Sequence, residues 1–153
     1  MQDQLAKLFG KPARVENDAE VQGLGIITGH GLEVVLTLGT GIGSALFVDG
    51  RLVPNTEFGH LEVKGREAEH RASGRAKIEH NLDWDAWSKE LNLVIITLHA
   101  LLWPDLVVLC GGITEEPEKF LDKLHCDTKI VIGALRSEAG IVGAALATSL
   151  KTR

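Results

Sequence analysis

With 153 residues, 16 basic and 21 acidic side chains and a formal charge of -5, the chain has room for one domain with a sizeable buried core. The acidic balance argues against nucleic acid or an anionic membrane as the main partner, and no apolar run reaches membrane-spanning length. No signal peptide opens the chain, and Cys110 and Cys126, its only cysteines, lack a CxxC spacing, which predicts reduced thiols and a cytoplasmic protein.

Gln2 to Phe9 reads as a short helix stopped by Gly10, with Pro12 just beyond. Ala13 to Val15 is a brief strand leading into Glu16-Asn17-Asp18. Asp18 is placed to cap a helix that starts at Ala19 and runs through Val21, Leu24 and Ile27 towards Gly29. Asn17-Asp18 therefore reads either as a helix cap or as a functional pair. Val34 to Leu38 and Ser44 to Val48 are aliphatic strands joined by Gly39-Thr40-Gly41-Ile42-Gly43, a Gly-rich hairpin turn. Glycine supplies positive φ and a bare surface there, and successive N–H groups in such a turn can cradle an anion. A flexible turn with no ligand fits the same residues. It is not a P-loop, because no Gly-Lys-Ser/Thr follows and no helix opens. Asp49-Gly50 marks a second hairpin turn.

Pro54 to Glu62 is a polar loop in which Glu57, His60 and Glu62 crowd beside the Gly-rich turn, a density that suggests a site. Gly65 to Asn81 is charged and irregular, with a short helix around Ala72 to His80. His60, His70 and His80 recur every ten residues, which matches no zinc pattern, and no metal ligand is assigned from them. Asp83 caps a long helix whose apolar stripe is Trp84, Trp87, Leu91, Val94, Ile95, Leu98, Leu101 and Leu102, and Pro104 ends it. The stripe assigns the tryptophans to the core rather than to a sugar-stacking platform. Leu106 to Leu109 is a continuous apolar strand of the kind buried on both faces of a parallel sheet. Cys110-Gly111-Gly112-Ile113-Thr114 then turns, with Thr114 as cap, into a helix from Glu115 to Leu124, an arrangement that lets a phosphate or nucleotide approach closely. Ile130 to Ile132 is a further strand. Glu138 to Leu150 is a final helix with Gly140, Gly143, Ala144 and Ala145 on a small, close-packing face. This order predicts an α/β fold with a mixed sheet flanked by helices.

Five of these stretches, in one order, resemble the C-terminal part of the ROK-family sugar kinases, and most of all the polyphosphate glucokinases. They are Asn17-Asp18-Ala19, Leu38 to Ser44, Pro54 to Glu62, Leu109 to Ile113 and Ala139 to Ala145. The resemblance implies an actin-like ATPase, RNase H-like fold. In this fold, residues 1–30 are the remnant of a first lobe and 31–153 the C-terminal kinase lobe. It implies Asp18 as the general base that takes the proton from the attacking sugar hydroxyl, and Asn17, Glu57, His60 and Glu69 as sugar-hydroxyl partners. Thr40, Gly41 and Gly43 match the second phosphate loop, and Gly111 and Gly112 the adenosine loop. The implied partners are glucose and ATP or polyphosphate with Mg2+.

Two departures from the family pattern stand out. Gly65 to His70 lacks the zinc-binding cysteine cluster of many members, as the polyphosphate glucokinases do, so no structural zinc is expected. The first phosphate loop, Asp-x-Gly-Gly-Thr, occurs nowhere in the 153 residues. Low activity of the chain alone follows, with a non-catalytic sugar-binding or regulatory module as the alternative. So does a homodimer covering Val21, Leu24, Ile26 and Ile27, which a missing lobe would expose, with an N-terminus disordered through about residue 30 as the alternative. Lys64, Arg66, Arg71, Arg75 and Lys77 form either a groove for polyphosphate or a solvated charged loop.

Overall fold

The computed structural model describes residues 1–13, 15–135 and 138–149. Strands β1 (Leu32–Leu38), β2 (Ile42–Val48), β3 (Arg51–Val53), β6 (Leu106–Cys110) and β7 (Lys129–Ile132) form one sheet in the order β3-β2-β1-β6-β7. β1, β6 and β7 run parallel, and β2 and β3 are antiparallel. β4 (Glu62–Val63) and β5 (Arg66–Glu67) make a separate small hairpin. The helices are α1 (Gln2–Phe9), α2 (Asp18–Ile26), α3 (Ala68–Ala72), α4 (Gly74–Glu79), α5 (Trp84–Leu102) and α6 (Ala139–Ser149).

Side chains alternate across β1 with the period of two that a strand imposes. Val34, Leu36 and Leu38 face α5, where Trp87, Leu91, Val94, Ile95 and Leu98 are buried at the three- and four-residue steps the sequence predicted. Asp83 caps α5, accepting from the Ala86 N–H at 2.7 Å. The indole N–H of Trp87 donates to the Ala72 carbonyl at 3.0 Å. Trp84 stacks on Phe120 and meets Trp87 edge-on, with ring centroids 6.0 and 5.7 Å apart. Leu101, counted in the stripe by its spacing, is exposed instead.

Val35 faces the other way, with Ala45, Phe47, Val108 and Cys110, and α2 covers this side through Leu24, Ile26 and Ile27. α6 lies against α2. A Cβ on Gly143 would collide with the Val21 carbonyl oxygen, and one on Gly25 would sit 2.6 Å from the Ala139 carbonyl oxygen. The two backbones therefore touch directly. Ala139, Gly143 and Ala147 form the close-packed face of α6, whereas Ala144 and Ala145 are exposed, contrary to the sequence reading. Leu150, the predicted end of this helix, lies outside the described residues.

Three further expectations are corrected. No helix forms from Glu115 to Leu124; three 3-10 turns, Gly112–Glu115, Pro117–Lys119 and Leu121–Lys123, take its place. Pro117 cannot donate a backbone bond, and Phe120 is drawn wholly inside against Trp84 and Trp87. Ala13 and Val15 are irregular rather than a strand, and Arg14 lies outside the described residues. Nor is α2 left uncovered, since the sheet and α6 bury much of Leu24, Ile26 and Ile27. Among the described residues no helix is long and apolar enough to cross a membrane.

Candidate functional site

The carboxyl ends of parallel strands are where ligands collect in open α/β sheets, because loops diverge there and leave a crevice. Here β1 and β6 end side by side, with Thr37 level with Cys110 on one flank and Gly43 on the other. The turn after β1 is Gly39-Thr40-Gly41, and Ile42 and Gly43 already belong to β2. None of its glycines has positive φ, so the sequence argument from backbone freedom is replaced by one from space. A Cβ on Gly41 would come within 2.7 Å of the Glu69 Oε2, and one on Gly43 within 3.0 Å of the Ala19 Cβ. The turn is bare because α2 and α3 press against it.

Positive φ is needed instead after β6. Gly111 has φ 97°, and its Cα lies so near β1 that a Cβ would stand 2.5 Å from the Leu38 carbonyl oxygen. Gly112 beside it would meet nothing within 4 Å, which leaves its backbone open to the crevice.

Asp18 and Glu69 line a recess of about 230 Å3 together with Thr37, Thr40, Gly41 and Gly43. Asn17 is the helix cap, accepting from the Ala19 N–H at 2.9 Å, and Asp18 accepts from the same N–H at 2.9 Å. The cap residue is therefore Asn17 rather than Asp18. Asn17 holds the helix end, and Asp18 is carried on its first turn beside the Gly-rich turn. The negative charge of Asp18 reaches Cys110, whose thiol is pushed up chiefly by burial and further by that charge, against a lowering hydrogen bond from Thr37.

Glu57 and His60 lie on the adjoining loop, outside that recess. Glu57 is turned into its own loop, accepting from the Gly59 N–H at 3.1 Å and from Ser44 Oγ at 3.4 Å. His60 pairs with Glu67 at 3.1 Å, and the hydrogen bond and charge of Glu67, with the charges of Glu69 and Glu57, hold its imidazole above the ordinary histidine value. His60, Glu67 and Glu69 bring donor atoms within 4.8 Å of one another. The loop is tied to both ends of the site. Its Asn55 backbone bonds Glu20 on α2, and the Gly59 carbonyl accepts from the Glu69 N–H at 3.0 Å. Thr56 in the same loop holds a buried hydroxyl without a partner among the described residues.

The basic stretch splits. Arg71 is structural, bonding the Val63 and Lys64 carbonyls and pairing with Glu90, and Lys77 bonds the Leu82 carbonyl and lies over the Trp84 ring. Arg75 instead grips the Gly-rich turn, its Nε–H donating to the Thr40 carbonyl at 3.0 Å. Thr37, Ser44 and, on α4, Ile78 are candidate site components that the sequence reading did not single out. Alternation along β1 and β2 was the available signal for the first two.

No family model matches the chain. It is 42% identical to the polyphosphate glucokinase of Mycobacterium tuberculosis over 96% of its length, and 40% identical to that of Mycobacterium leprae over 94%. It spans 58% and 46% of those two relatives. Among solved structures, the inorganic polyphosphate/ATP-glucomannokinase of Arthrobacter sp. strain KM is 41% identical, with a TM-score of 0.90 covering 99% of this chain and 62% of that one. A ROK-family glucokinase from Streptomyces griseus, solved with glucose and AMPPNP, shares the fold at a TM-score of 0.81 and 21% identity, covering 95% of this chain and 71% of that one. Over nearly its whole length the chain resembles polyphosphate glucokinases, and it has the actin-like ATPase fold of the ROK-family sugar kinases.

Proposed function

We propose that the chain is the part of a glucokinase that holds the sugar and the phosphoryl donor, moving a phosphoryl group from polyphosphate or ATP to the 6-hydroxyl of glucose. One observation carries this reading. Asp18 and Glu69 share a recess with the bare Gly-rich turn at the carboxyl end of β1. A carboxylate within reach of a sugar hydroxyl, facing backbone that cradles phosphate, is the minimum that phosphoryl transfer to an alcohol requires.

In this reading Asp18 accepts the hydroxyl proton as the oxygen attacks. Asn17, Glu57, His60 and Glu69 bond the remaining hydroxyls, and Thr40, Gly41 and Gly43 hold the transferring phosphate. Gly111 and Gly112 make room for the nucleoside of ATP. Carboxylate acceptors and an imidazole donor select a polyol because a missing hydroxyl leaves a desolvated polar group unpaired. Mg2+ needs at most one or two carboxylates beside donor phosphates, and Glu69, across the recess from the base, fits that requirement. The ion would offset charge on the phosphates.

Titration calorimetry with glucose tests the sugar half, and a phosphorylation assay with ATP and with polyphosphate tests the transfer. Asp18→Asn is expected to keep glucose affinity within a few-fold while lowering turnover by about a hundredfold or more. Absence of glucose binding to the unaltered chain overturns the reading. Turnover by the 153-residue chain alone is expected to be low, since losing even one donor aimed at the transferring group costs about a hundredfold. Self-association belongs to the same reading. Leu8 and Phe9 on α1 and Ile141 on α6 are exposed, and light scattering of the chain with and without residues 1–13 reads whether they join two copies.

A further inference from the structure

One recess opens from the Gly-rich turn, a second lies beyond Glu69, whose carboxylate stands against Gly41, and Arg75 lines both. The first, of about 610 Å3, runs past Gly112 and has apolar walls of Ile78, Trp84 and Ile113. The second, of about 310 Å3, is polar, with Arg66, His70 and His80 beside Arg75 and the carboxylates of Glu69 and Glu79. Ile78 is 81% exposed, yet it belongs to the wall of the first recess. The Nε–H of Arg75 fixes its guanidinium at the mouth of the turn through the Thr40 carbonyl. Its Nη groups, and the whole guanidinium of Arg66, make no hydrogen bond or ion pair among the described residues. Arg71, nearby in sequence, is committed to the fold, and Lys77 is tied to the Leu82 carbonyl and the Trp84 ring at the wall of the first recess.

We propose that Arg66 and Arg75 form a track for a linear inorganic phosphate chain. Such a chain leaves the turn through the polar recess, while a nucleoside triphosphate leaves through the apolar one. This rests on the donor side of the function proposed above. The chemistry of the two donors sorts them. A phosphate chain has charge on every unit and no apolar part, so it gains nothing from Ile78, Trp84 and Ile113. A nucleoside brings a flat, weakly polar base that gains little from guanidinium groups beyond its phosphates. The planar fork of arginine matches phosphate oxygens two at a time and keeps its charge at any working pH. Glu69 and Glu79 offset part of the field in the polar recess, so retention of the chain there depends on both guanidiniums. Arg75 serves either donor; Arg66 serves the phosphate chain alone.

Calorimetric titration of the 153-residue chain with ATP and with long-chain sodium polyphosphate, each with Mg2+, separates the two routes. Arg66→Gln is expected to weaken polyphosphate binding about tenfold, the scale of one charge-assisted bond, and to leave ATP unchanged. Arg66→Lys, which keeps the charge and loses the fork, falls between. Ile78→Asp does the converse, weakening ATP alone, and Arg75→Gln weakens both. If Arg66→Gln affects both donors equally, or neither, the track is wrong. Unaltered chain that binds ATP and glucose but not polyphosphate overturns the track and leaves the kinase reading standing. Binding of no donor and no glucose overturns both.

Discussion

The two faces of the central sheet are packed on different principles. On the α5 face, volume does the work: Trp87, Phe120, Leu91 and Leu98 are wholly buried and interlock as large side chains. On the α2 face, the two covering helices meet backbone to backbone, with Gly143 of α6 against the Val21 carbonyl and Gly25 of α2 against that of Ala139. A volume-packed face yields gradually, because neighbouring side chains can shift to share a defect. A face in backbone contact has nothing to shift except the helix itself, and that helix carries Asp18. The face with the smaller side chains therefore fixes the candidate base most tightly.

The largest loss of stability is expected on the first face. Trp87→Ala removes a fully buried ring and its bond to the Ala72 carbonyl, and should cost about 3–5 kcal/mol in denaturant unfolding. If the comparison holds, residual folded protein keeps its glucose affinity. Gly143→Ala should cost less, about 1–3 kcal/mol, because α2 and α6 can shift apart without emptying the core. Its turnover should fall out of proportion to its stability, as Asp18 moves with α2. Equal effects of the two variants on glucose binding would break the distinction.

Glu33 sharpens it further. This carboxylate is wholly buried and accepts from the Thr28 N–H and hydroxyl and from the Gly29 N–H, all within 2.9 Å, pinning the exit of α2. Glu33→Gln presents an amide donor to one of these donors and should cost about 1–3 kcal/mol by thermal or denaturant melting. The smallest effect is at His60. Its pKa is raised chiefly by the Glu67 hydrogen bond, so the pair's contribution is present in full below the unfolded histidine value and is lost as pH rises through the raised folded one. Glu67→Gln should lower the His60 midpoint in an NMR titration. With the side chain at the surface, stability should hardly change.

The strands and α5 were legible in the sequence because their signals are local. Val34 to Leu38 and Leu106 to Leu109 are runs too apolar for anything but a covered strand, and the α5 stripe keeps helical spacing from Trp87 to Leu98. The segment after Gly112 was misread because its outcome is set by distant rings. Pro117 is compatible with an early helix position, and only the aromatic pocket that receives Phe120 selects separate turns. The site shows the same division. The identity of the Gly-rich turn was readable, but the reason for its glycines was not, since Glu69 and Ala19 come from other parts of the chain. Among the basic residues, spacing could not tell Arg71, turned onto β4, from Arg75, turned onto the turn.

The helix pair also has a consequence in time. α2 is made before the sheet and α6 after it. Contacts between ends so far apart form late, because loop closure must precede them. On the ribosome Asp18 rides on a helix with no second wall until the final turns of α6 have emerged. A product that stops short of Ala139 would still build the sheet and its aromatic face, yet leave the glycine side of α2 open to water. Sensitivity to premature termination should therefore be concentrated in the stretch that contributes no side chain to the site.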